Sequence, residues 1–233
     1  MQKNKILVIL LIALLLVSGC VNKKTDAYKF KTEYESLNNT KSKSGKAIRN
    51  LKIDSKNPFI YKTEDDIIEL IDKKDTFVVY FGFASCPWCR SVLPTLIDVA
   101  KEYSIENIYY VDVLDIRDVY EIGEDGKLKK TKDGTKGYNE LVKKLGDKLS
   151  DYTLKNKDGE EVKVGEKRIY APNIVGVIKG EVIDIQTGVS SLQTDGYMDI
   201  TSEMQQETYD IFVKIIEKVS DALNTCDGAD IGC

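Results

Sequence analysis

The sequence contains no histidine. This absence excludes the Ser–His and Cys–His pairs in which histidine is the base that activates a nucleophile. It also excludes every metal site that depends on an imidazole ligand. A nucleophile in this chain must therefore be activated by its local environment rather than by a neighbouring histidine.

An excess of either charge is also lacking. The 233 residues include 34 basic and 38 acidic ones, which gives a net charge of -4 with both signs mixed along the chain. We therefore expect no nucleic-acid partner. With 42% hydrophobic and 31% charged residues, the chain has the composition of a soluble globular protein rather than a polytopic one. Its length suffices for one large domain with a tail.

Long hydrophobic runs are absent except near the N-terminus. There the apolar run Ile6–Val17 follows Lys3 and Lys5 and ends in small residues before Cys20. The run is shorter than the about 20 residues that a membrane-spanning helix needs, and the pattern is typical of a signal peptide. Its end resembles a bacterial lipobox, so we predict a lipoprotein signal peptide over residues 1–19 and lipidation of Cys20. The alternative is an ordinary signal peptide or an uncleaved anchor.

The central motif of the chain is Cys86-Pro87-Trp88-Cys89. It follows the apolar run Phe77–Phe81 and precedes an amphipathic segment, so we predict a strand that ends just before the cysteines and a helix that begins with them. A helix N-terminus carries partial positive charge and free N–H groups, which favour a thiolate over a thiol. The second cysteine, one turn later, can form or resolve a disulfide. This arrangement predicts redox chemistry without a metal or another cofactor.

Hydrophobic patterning predicts the elements before the insertion. Residues 20–47 are polar and are predicted to be a tether, although four of their side chains could pack on the domain: Tyr28, Phe30, Tyr34 and Leu37. The predicted elements that follow are an edge strand at Ala47–Ile53, a helix from the N-cap Thr63 to about Lys74, a buried strand at Phe77–Phe83, a helix with Pro94 inside it, and a parallel strand at Asn107–Leu114. This order is a βαβ pattern, which favours an α/β domain over residues 48–225.

A charged segment at residues 123–168 interrupts that pattern and is predicted to be an insertion, either a solvated cap or a lid that shapes substrate choice. Within and after it, the sequence predicts a short helix at Tyr138–Leu149, a hairpin at Tyr152–Val164, a second hairpin from Ile174 to Gln186, and a final amphipathic helix at Ser202–Leu223. We find no internal repeat.

Four features, in this order, resemble thioredoxin-fold proteins. They are the Cys-Pro-Trp-Cys motif at a strand-to-helix junction, Pro94 five residues past the second cysteine, Ala171-Pro172 before an apolar strand, and glycines at 180 and 188. A lone C-x-x-C also occurs in zinc sites, so the resemblance depends on all four. It implies a central mixed sheet flanked by helices.

The resemblance covers residues 60–122 and 169–223. More narrowly, the chain resembles exported thioredoxin-like lipoproteins of Gram-positive bacteria, including those called bacteriocin transport accessory proteins.

The resemblance implies a role for each site residue. Cys86 would be an exposed nucleophile of lowered pKa, and the more buried Cys89 would resolve the mixed disulfide. Pro172 would follow a cis peptide bond beside the sulfurs, and Ala171 would offer backbone groups to the substrate chain. Trp88 would present an apolar face to the substrate. The alternatives are simple packing for Trp88 and an ordinary trans loop proline for Pro172.

The chain also departs from thioredoxins. Tyr80 stands six residues before the first cysteine, where thioredoxins bury an aspartate. A position near Val111 stands where they bury a lysine. Tyr80 is a poor base at neutral pH because its reference pKa is about 10. Asp112 or Asp115 could substitute through water, but we favour solvated strand-end residues for both.

Cys226 and Cys233 form a pair at the C-terminus, in the predicted tail 226–233. We favour a structural disulfide that closes a small loop. The alternatives are an accessory redox pair, or a metal site built from these two thiolates and those of the central motif. The spacing of the tail pair is wide for a zinc site.

The sequence thus favours a membrane-anchored, extracytoplasmic thiol–disulfide oxidoreductase. Its expected partners are protein or peptide disulfides, a membrane redox partner that restores the site, and the membrane through a lipid anchor. We expect a monomer with no cofactor beyond the Cys86–Cys89 disulfide and no metal. The Cys-Pro-Trp-Cys motif does not fix the redox direction. Two other classes stay open: a lipoprotein that binds zinc or copper through thiolates, and a non-catalytic binding lipoprotein with structural disulfides.

Overall fold

A computed structural model describes residues 25–226. The strands are β1 (Phe59–Tyr61), β2 (Phe77–Gly82), β3 (Ile108–Asp112), β4 (Val119–Ile122), β5 (Leu128–Lys132), β6 (Asp151–Lys155), β7 (Glu161–Lys167), β8 (Asn173–Ile178) and β9 (Glu181–Gln186). The helices are α1 (Asp26–Glu35), α2 (Glu64–Asp72), α3 (Pro87–Glu102), α4 (Lys136–Leu145) and α5 (Ser202–Cys226), with a 3₁₀ turn at Gly146–Lys148. The predicted signal peptide, Cys20 and the side chains of Cys226 and Cys233 lie outside the described part.

A five-stranded mixed sheet forms the centre of the protein, in the order β1-β3-β2-β8-β9. β3 pairs in parallel with β1 and with β2, whereas β8 pairs antiparallel with β2 and with β9. Every residue of β2 is buried, which explains its continuous apolar sequence, since a central strand covered on both faces has no polar side. The prediction of a mixed central sheet is confirmed. The strand order is compatible with a thioredoxin-like fold.

Helices cover both faces of this sheet. α3 and α5 pack together on the face that carries Tyr80 and Tyr110, and α2 and α4 pack on the face that carries Val79 and Phe81. α2 begins where the sequence predicted, because the Thr63 side chain accepts the N–H of Asp66 and the Asp66 carboxylate accepts the N–H of Thr63. The reciprocal cap fixes the start of the helix.

The segment between β3 and β8 contains two hairpins, β4–β5 and β6–β7, with α4 between them. α4 begins at Lys136, two residues before the predicted start, because Thr135 caps it. Tyr138, Leu141 and Leu145 are buried in the core, so α4 belongs to the packed domain rather than to a solvated cap. The β4–β5 hairpin was not predicted because β4 is only four residues long and β5 is mostly exposed and rich in lysine.

The N-terminal segment corrects the prediction of a tether over residues 25–47 and confirms that Phe30 and Tyr34 pack on the domain. α1 is capped by Thr25 and buries Phe30 and Tyr34, which are one helical turn apart on the same face. The Phe30 ring stacks on that of Phe59 with their centroids 4.0 Å apart. These two aromatic residues, together with hydrogen bonds from residues far away in the sequence, dock this otherwise polar helix, and composition alone does not reveal such contacts.

The predicted edge strand Ala47–Ile53 is also wrong. The segment runs without strand pairing beyond an isolated bridge between Lys41 and Ala47. Side chains occupy the backbone groups that a strand would use: the N–H of Leu51 donates to Asn38 (2.9 Å), and the N–H of Ile53 donates to Glu35 (2.7 Å).

Candidate active site around Cys86 and Cys89

Cys86 and Cys89 lie at the N-terminus of α3, just beyond the end of β2. Cys86 is the N-cap residue and Pro87 is the first helical residue, a position where the missing N–H of proline carries no cost. The Cys86 Sγ accepts the backbone N–H of Cys89 at 3.2 Å. Both cysteines are free thiols. The two sulfurs are thus held one helical turn apart, with the first at the positive end of the helix.

Burial differs from the expectation at one of the two cysteines. Cys89 is fully buried, but Cys86, which was expected to be exposed, is only 3% exposed. The reason is a distant part of the chain: the Cys86 thiol donates to the carbonyl oxygen of Ala171 at 3.2 Å. The backbone of the segment that carries Ala171 therefore covers the Cys86 sulfur.

The electrostatic environment drives the pKa values of the two thiols apart. Burial alone would raise the pKa of Cys86, but hydrogen bonds from the Cys89 thiol and from the backbone N–H groups of Cys89 and Trp88, together with the charge of Arg117, lower it below its usual value. Burial raises the pKa of Cys89 well above its usual value, and the neighbouring Cys86 raises it further. The site thus favours a thiolate at Cys86 and a thiol at Cys89.

The segment opposite the cysteines contains the Ala171–Pro172 peptide bond, which is cis. The N–H of Tyr170 donates to the Asn173 side chain at 2.6 Å, which fixes the turn into β8. A shallow pocket of about 220 Å³ borders this segment, and it is lined by Trp88, Tyr170, Ala171, Pro172, Thr187 and Val189. Trp88 is half-buried and forms one wall of the pocket. The structure therefore brings four predicted site residues together: Cys86, Trp88, Ala171 and Pro172.

Arg117 is a site residue that sequence reasoning missed. It follows β3, and its guanidinium lies over the Phe83 ring, 5.0 Å from the ring centroid. It is half-buried and makes no hydrogen bond or ion pair within residues 25–226. Its charge favours the thiolate of Cys86. No local signal could identify it, because its position depends on how the chain leaves β3.

Arg90, which follows the second cysteine in the chain, is a buried cation. Its Nε donates to the carbonyl of Arg49 (2.7 Å), its Nη1 to the carbonyls of Tyr34 (2.9 Å) and Ala84 (3.0 Å), and its Nη2 to the side chain of Asn38 (3.0 Å). No carboxylate pairs with it within the described residues. Arg90 thereby ties the helix of the cysteines to the N-terminal segment.

Two tyrosines, Tyr80 and Tyr110, are buried next to each other in the central sheet. Tyr80 is fully buried, and the residue paired with it across the sheet is Tyr110. Val111, which the sequence predicted at this place, faces the opposite core cluster. Asp112 and Asp115 are exposed, and Asp112 accepts the N–H of Leu114 at 2.8 Å.

Two further observations concern metals and membranes. Within residues 25–226, no three or more His, Cys, Asp or Glu side chains are grouped closely enough to hold a metal ion. No helix in the same range is long and apolar enough to span a membrane.

Comparison with known proteins gives a likeness of fold alone. No protein-family model and no curated protein matches the chain. Among solved structures, thioredoxin O2 from Arabidopsis thaliana in its oxidized state is similar, at 16% sequence identity and a TM-score of 0.30, over 57% of this chain and 85% of that chain.

Proposed function

We propose that the protein is a thiol–disulfide oxidoreductase that exchanges disulfides with protein or peptide substrates through Cys86 and Cys89. The observation that carries the proposal is the position of Cys86: its sulfur caps a helix, accepts the Cys89 N–H at 3.2 Å, and lies 3.2 Å from the Ala171 carbonyl oxygen. Hydrogen bonds to the thiolate lower the pKa of this cysteine despite its burial. A structural cysteine has no need of such an environment.

The reaction has two exchange steps. The Cys86 thiolate attacks a substrate disulfide, a Cys86–substrate disulfide forms, and the first substrate sulfur leaves with its electron pair. Cys89 then attacks Cys86, the Cys86–Cys89 bond forms, and the second substrate sulfur leaves. The substrate disulfide is reduced and the cysteine pair is oxidised; the same steps in reverse oxidise a substrate dithiol.

We propose that the substrate chain lies along the segment from Tyr170 to Pro172. The pocket beside it, with Trp88 as one wall, accepts an apolar side chain next to the substrate cysteine. The Ala171 carbonyl is the backbone group closest to the reactive sulfur, and it is available to a substrate N–H once the Cys86 thiol has lost its proton.

The cellular setting is proposed from the sequence alone. Lys3, Lys5, the apolar run and Cys20 support an exported lipoprotein held at the outer face of the membrane, of the type that includes bacteriocin transport accessory proteins. A membrane redox partner would restore the cysteine pair there. Incorporation of a labelled fatty acid tests the anchor: the label is expected on the wild type and not on a Cys20→Ala variant. A labelled variant would contradict the assignment.

Trapping tests the proposed chemistry. A Cys89→Ser variant is expected to accumulate mixed disulfides between Cys86 and its substrates, which non-reducing electrophoresis resolves. A Cys86→Ser variant is the matched control and is expected to trap none. Equal trapping by both variants, or none by either, would contradict the proposal. The reduction potential of the wild-type pair then gives the direction of the reaction.

A further inference from the structure

Arg117 is a half-buried cation whose N–H groups have no acceptor. Its guanidinium lies over the Phe83 ring, 5.0 Å from the ring centroid, and in the part of the chain that the structure describes it forms no hydrogen bond and no ion pair. A guanidinium carries five N–H donors in one plane. Taking such donors out of water without an acceptor costs free energy, so we look for an acceptor that the chain itself does not supply.

The carboxylates that lie near Arg117 in the sequence do not pair with it. Asp118 is buried, and its Oδ1 lies 3.4 Å from the guanidinium of Arg168. Asp112 and Asp115 are exposed and lie beyond ion-pair distance of Arg117, although its charge acts on Asp112 at longer range. The N–H groups of Arg117 are therefore available to a group from outside the chain.

Two contacts place Arg117 between the segments that meet at the Cys86 sulfur. The first is with Phe83, whose carbonyl oxygen accepts the backbone N–H of Cys86 at 3.1 Å, so the ring under the guanidinium belongs to the turn that leads into the cysteine. The second is made by the next residue, Asp118, which pairs with Arg168. That pair ties the chain around Arg117 to the segment whose carbonyl oxygen accepts the Cys86 thiol.

The pKa of Cys86 agrees with this position. The charge of Arg117 lowers that pKa, as a cation close to the sulfur should, but it does so less than the hydrogen bonds to the sulfur do. The backbone N–H of Cys89 is one of those donors, at 3.2 Å, and Arg117 is not. The thiolate therefore leaves the N–H groups of the guanidinium free.

A guanidinium over an aromatic ring is suited to binding a carboxylate. Contact with the ring engages the face of the guanidinium, while the N–H groups lie at its edge. Two of these N–H groups match the two oxygens of a carboxylate and bind it through parallel hydrogen bonds. A peptide substrate supplies such a group from an aspartate or glutamate side chain near its cysteine.

We propose that Arg117 selects substrates with an acidic side chain next to the cysteine that Cys86 attacks. The guanidinium binds the carboxylate and so holds the substrate sulfur beside the Cys86 sulfur. The inference rests on the proposed function, because it names the class of disulfide that this site accepts. The exchange step stays the same: the Cys86 sulfur bonds to the substrate sulfur, and the other sulfur of that disulfide leaves with the electron pair.

A pair of short peptides tests this preference. Each contains one cysteine as its thiopyridyl disulfide, and the two peptides differ only in having Glu or Gln on both sides of that cysteine. Attack on the cysteine sulfur releases pyridinethione, whose absorbance gives the second-order rate constant. The Glu-to-Gln ratio of the rate constants is divided by the same ratio for mercaptoethanol, which corrects for the intrinsic reactivity of the peptides.

With the reduced full-length protein we expect the Glu peptide to react about tenfold faster, the effect of one hydrogen bond to a charged group. Arg117→Gln should reduce the ratio to about one, and Arg117→Lys, which keeps the charge but loses the planar fork, should give an intermediate value. The higher pKa expected for Cys86 in Arg117→Gln slows both peptides equally, so it cancels in the ratio.

Lys132→Gln is the matched control. It also removes one positive charge, from an exposed ammonium group that donates to the carbonyl of Asp115, two residues before Arg117. It is expected to keep the wild-type ratio. Salt gives a test that needs no variant, since at about 1 M salt charges are screened beyond about 3 Å and the wild-type ratio should fall toward one.

The outcomes separate the inference from the proposed function. Equal rates for both peptides with the wild type, or an Arg117→Gln variant that keeps the wild-type ratio, would overturn the inference and leave the proposed function intact. An equal fall of the ratio in Lys132→Gln would also overturn it, because net charge would then explain the preference. A wild type that reacts with neither peptide would instead overturn the proposed function.

Discussion

The buried guanidinium of Arg90 gives a prediction whose size follows from its contacts. Arg90→Met removes four hydrogen bonds, to the backbone carbonyls of Arg49, Tyr34 and Ala84 and to the side chain of Asn38. At about 1.5 kcal/mol for each bond from a charged donor, these contribute about 6 kcal/mol to the free energy of unfolding. The cost of burying the cation offsets about half of this, so we expect a net loss of about 3 kcal/mol.

Urea unfolding followed by circular dichroism measures the loss, and hydrogen exchange locates it. Amide protons of residues 26–53 should exchange faster in Arg90→Met than those of the β2–β3 core, because the N-terminal segment loses its attachment. Lys101→Met is the matched control, an exposed cation on the same helix, and is expected to change stability by less than about 0.5 kcal/mol. A loss below about 1 kcal/mol for Arg90→Met, or uniform exchange across the chain, would refute the reasoning.

Three further predictions concern the site and its frame. Arg117→Gln should raise the pKa of Cys86, because it removes a cation that favours the thiolate. The pH profile of Cys86 alkylation should therefore shift to higher pH, and an unchanged profile would show that the charge of Arg117 does not stabilise this thiolate. Thr63→Ala should lower the free energy of unfolding by about 1 kcal/mol in urea, since it removes one half of a reciprocal cap; no loss would count against that cap. Gly180→Ala should lower the free energy of unfolding by about 2 kcal/mol or more, because φ at Gly180 is +77 and an added Cβ would lie 2.5 Å from the Ile71 carbonyl oxygen. Gly159→Ala, at φ +82 with open space around it, should lower it by less. Equal losses in the two variants would show that backbone strain alone, and not the clash at position 180, sets the cost.

Local patterns predicted the elements that depend on local chemistry. The helix after Thr63 follows from its cap, β2 follows from its unbroken apolar sequence, and the turn between β8 and β9 lies where Lys179 and Gly180 adopt positive φ. In each case the residues that decide the structure are neighbours in sequence. The position of Cys86 at the start of a helix could be predicted for the same reason.

Features set by distant residues could not be predicted. Cys86 is buried because a carbonyl 85 residues away covers it, which no local pattern records. Counting along the chain gave a position near Val111 as the one where thioredoxins bury a lysine, but the residue that the strand register pairs with Tyr80 is Tyr110. A shift of one residue in a strand exchanges the two faces, so an approximate count could not identify Tyr110.

The pH dependence of Cys86 alkylation tests the central claim most directly. The reduced protein is treated with iodoacetamide across a range of pH, and mass spectrometry assigns the modified cysteine. The account predicts that Cys86 reacts, that the midpoint of its profile lies below about 8.5, the value for an unperturbed thiol, and that Cys89 stays unmodified. A midpoint at or above that value would contradict the claim that this sulfur is held as a reactive thiolate.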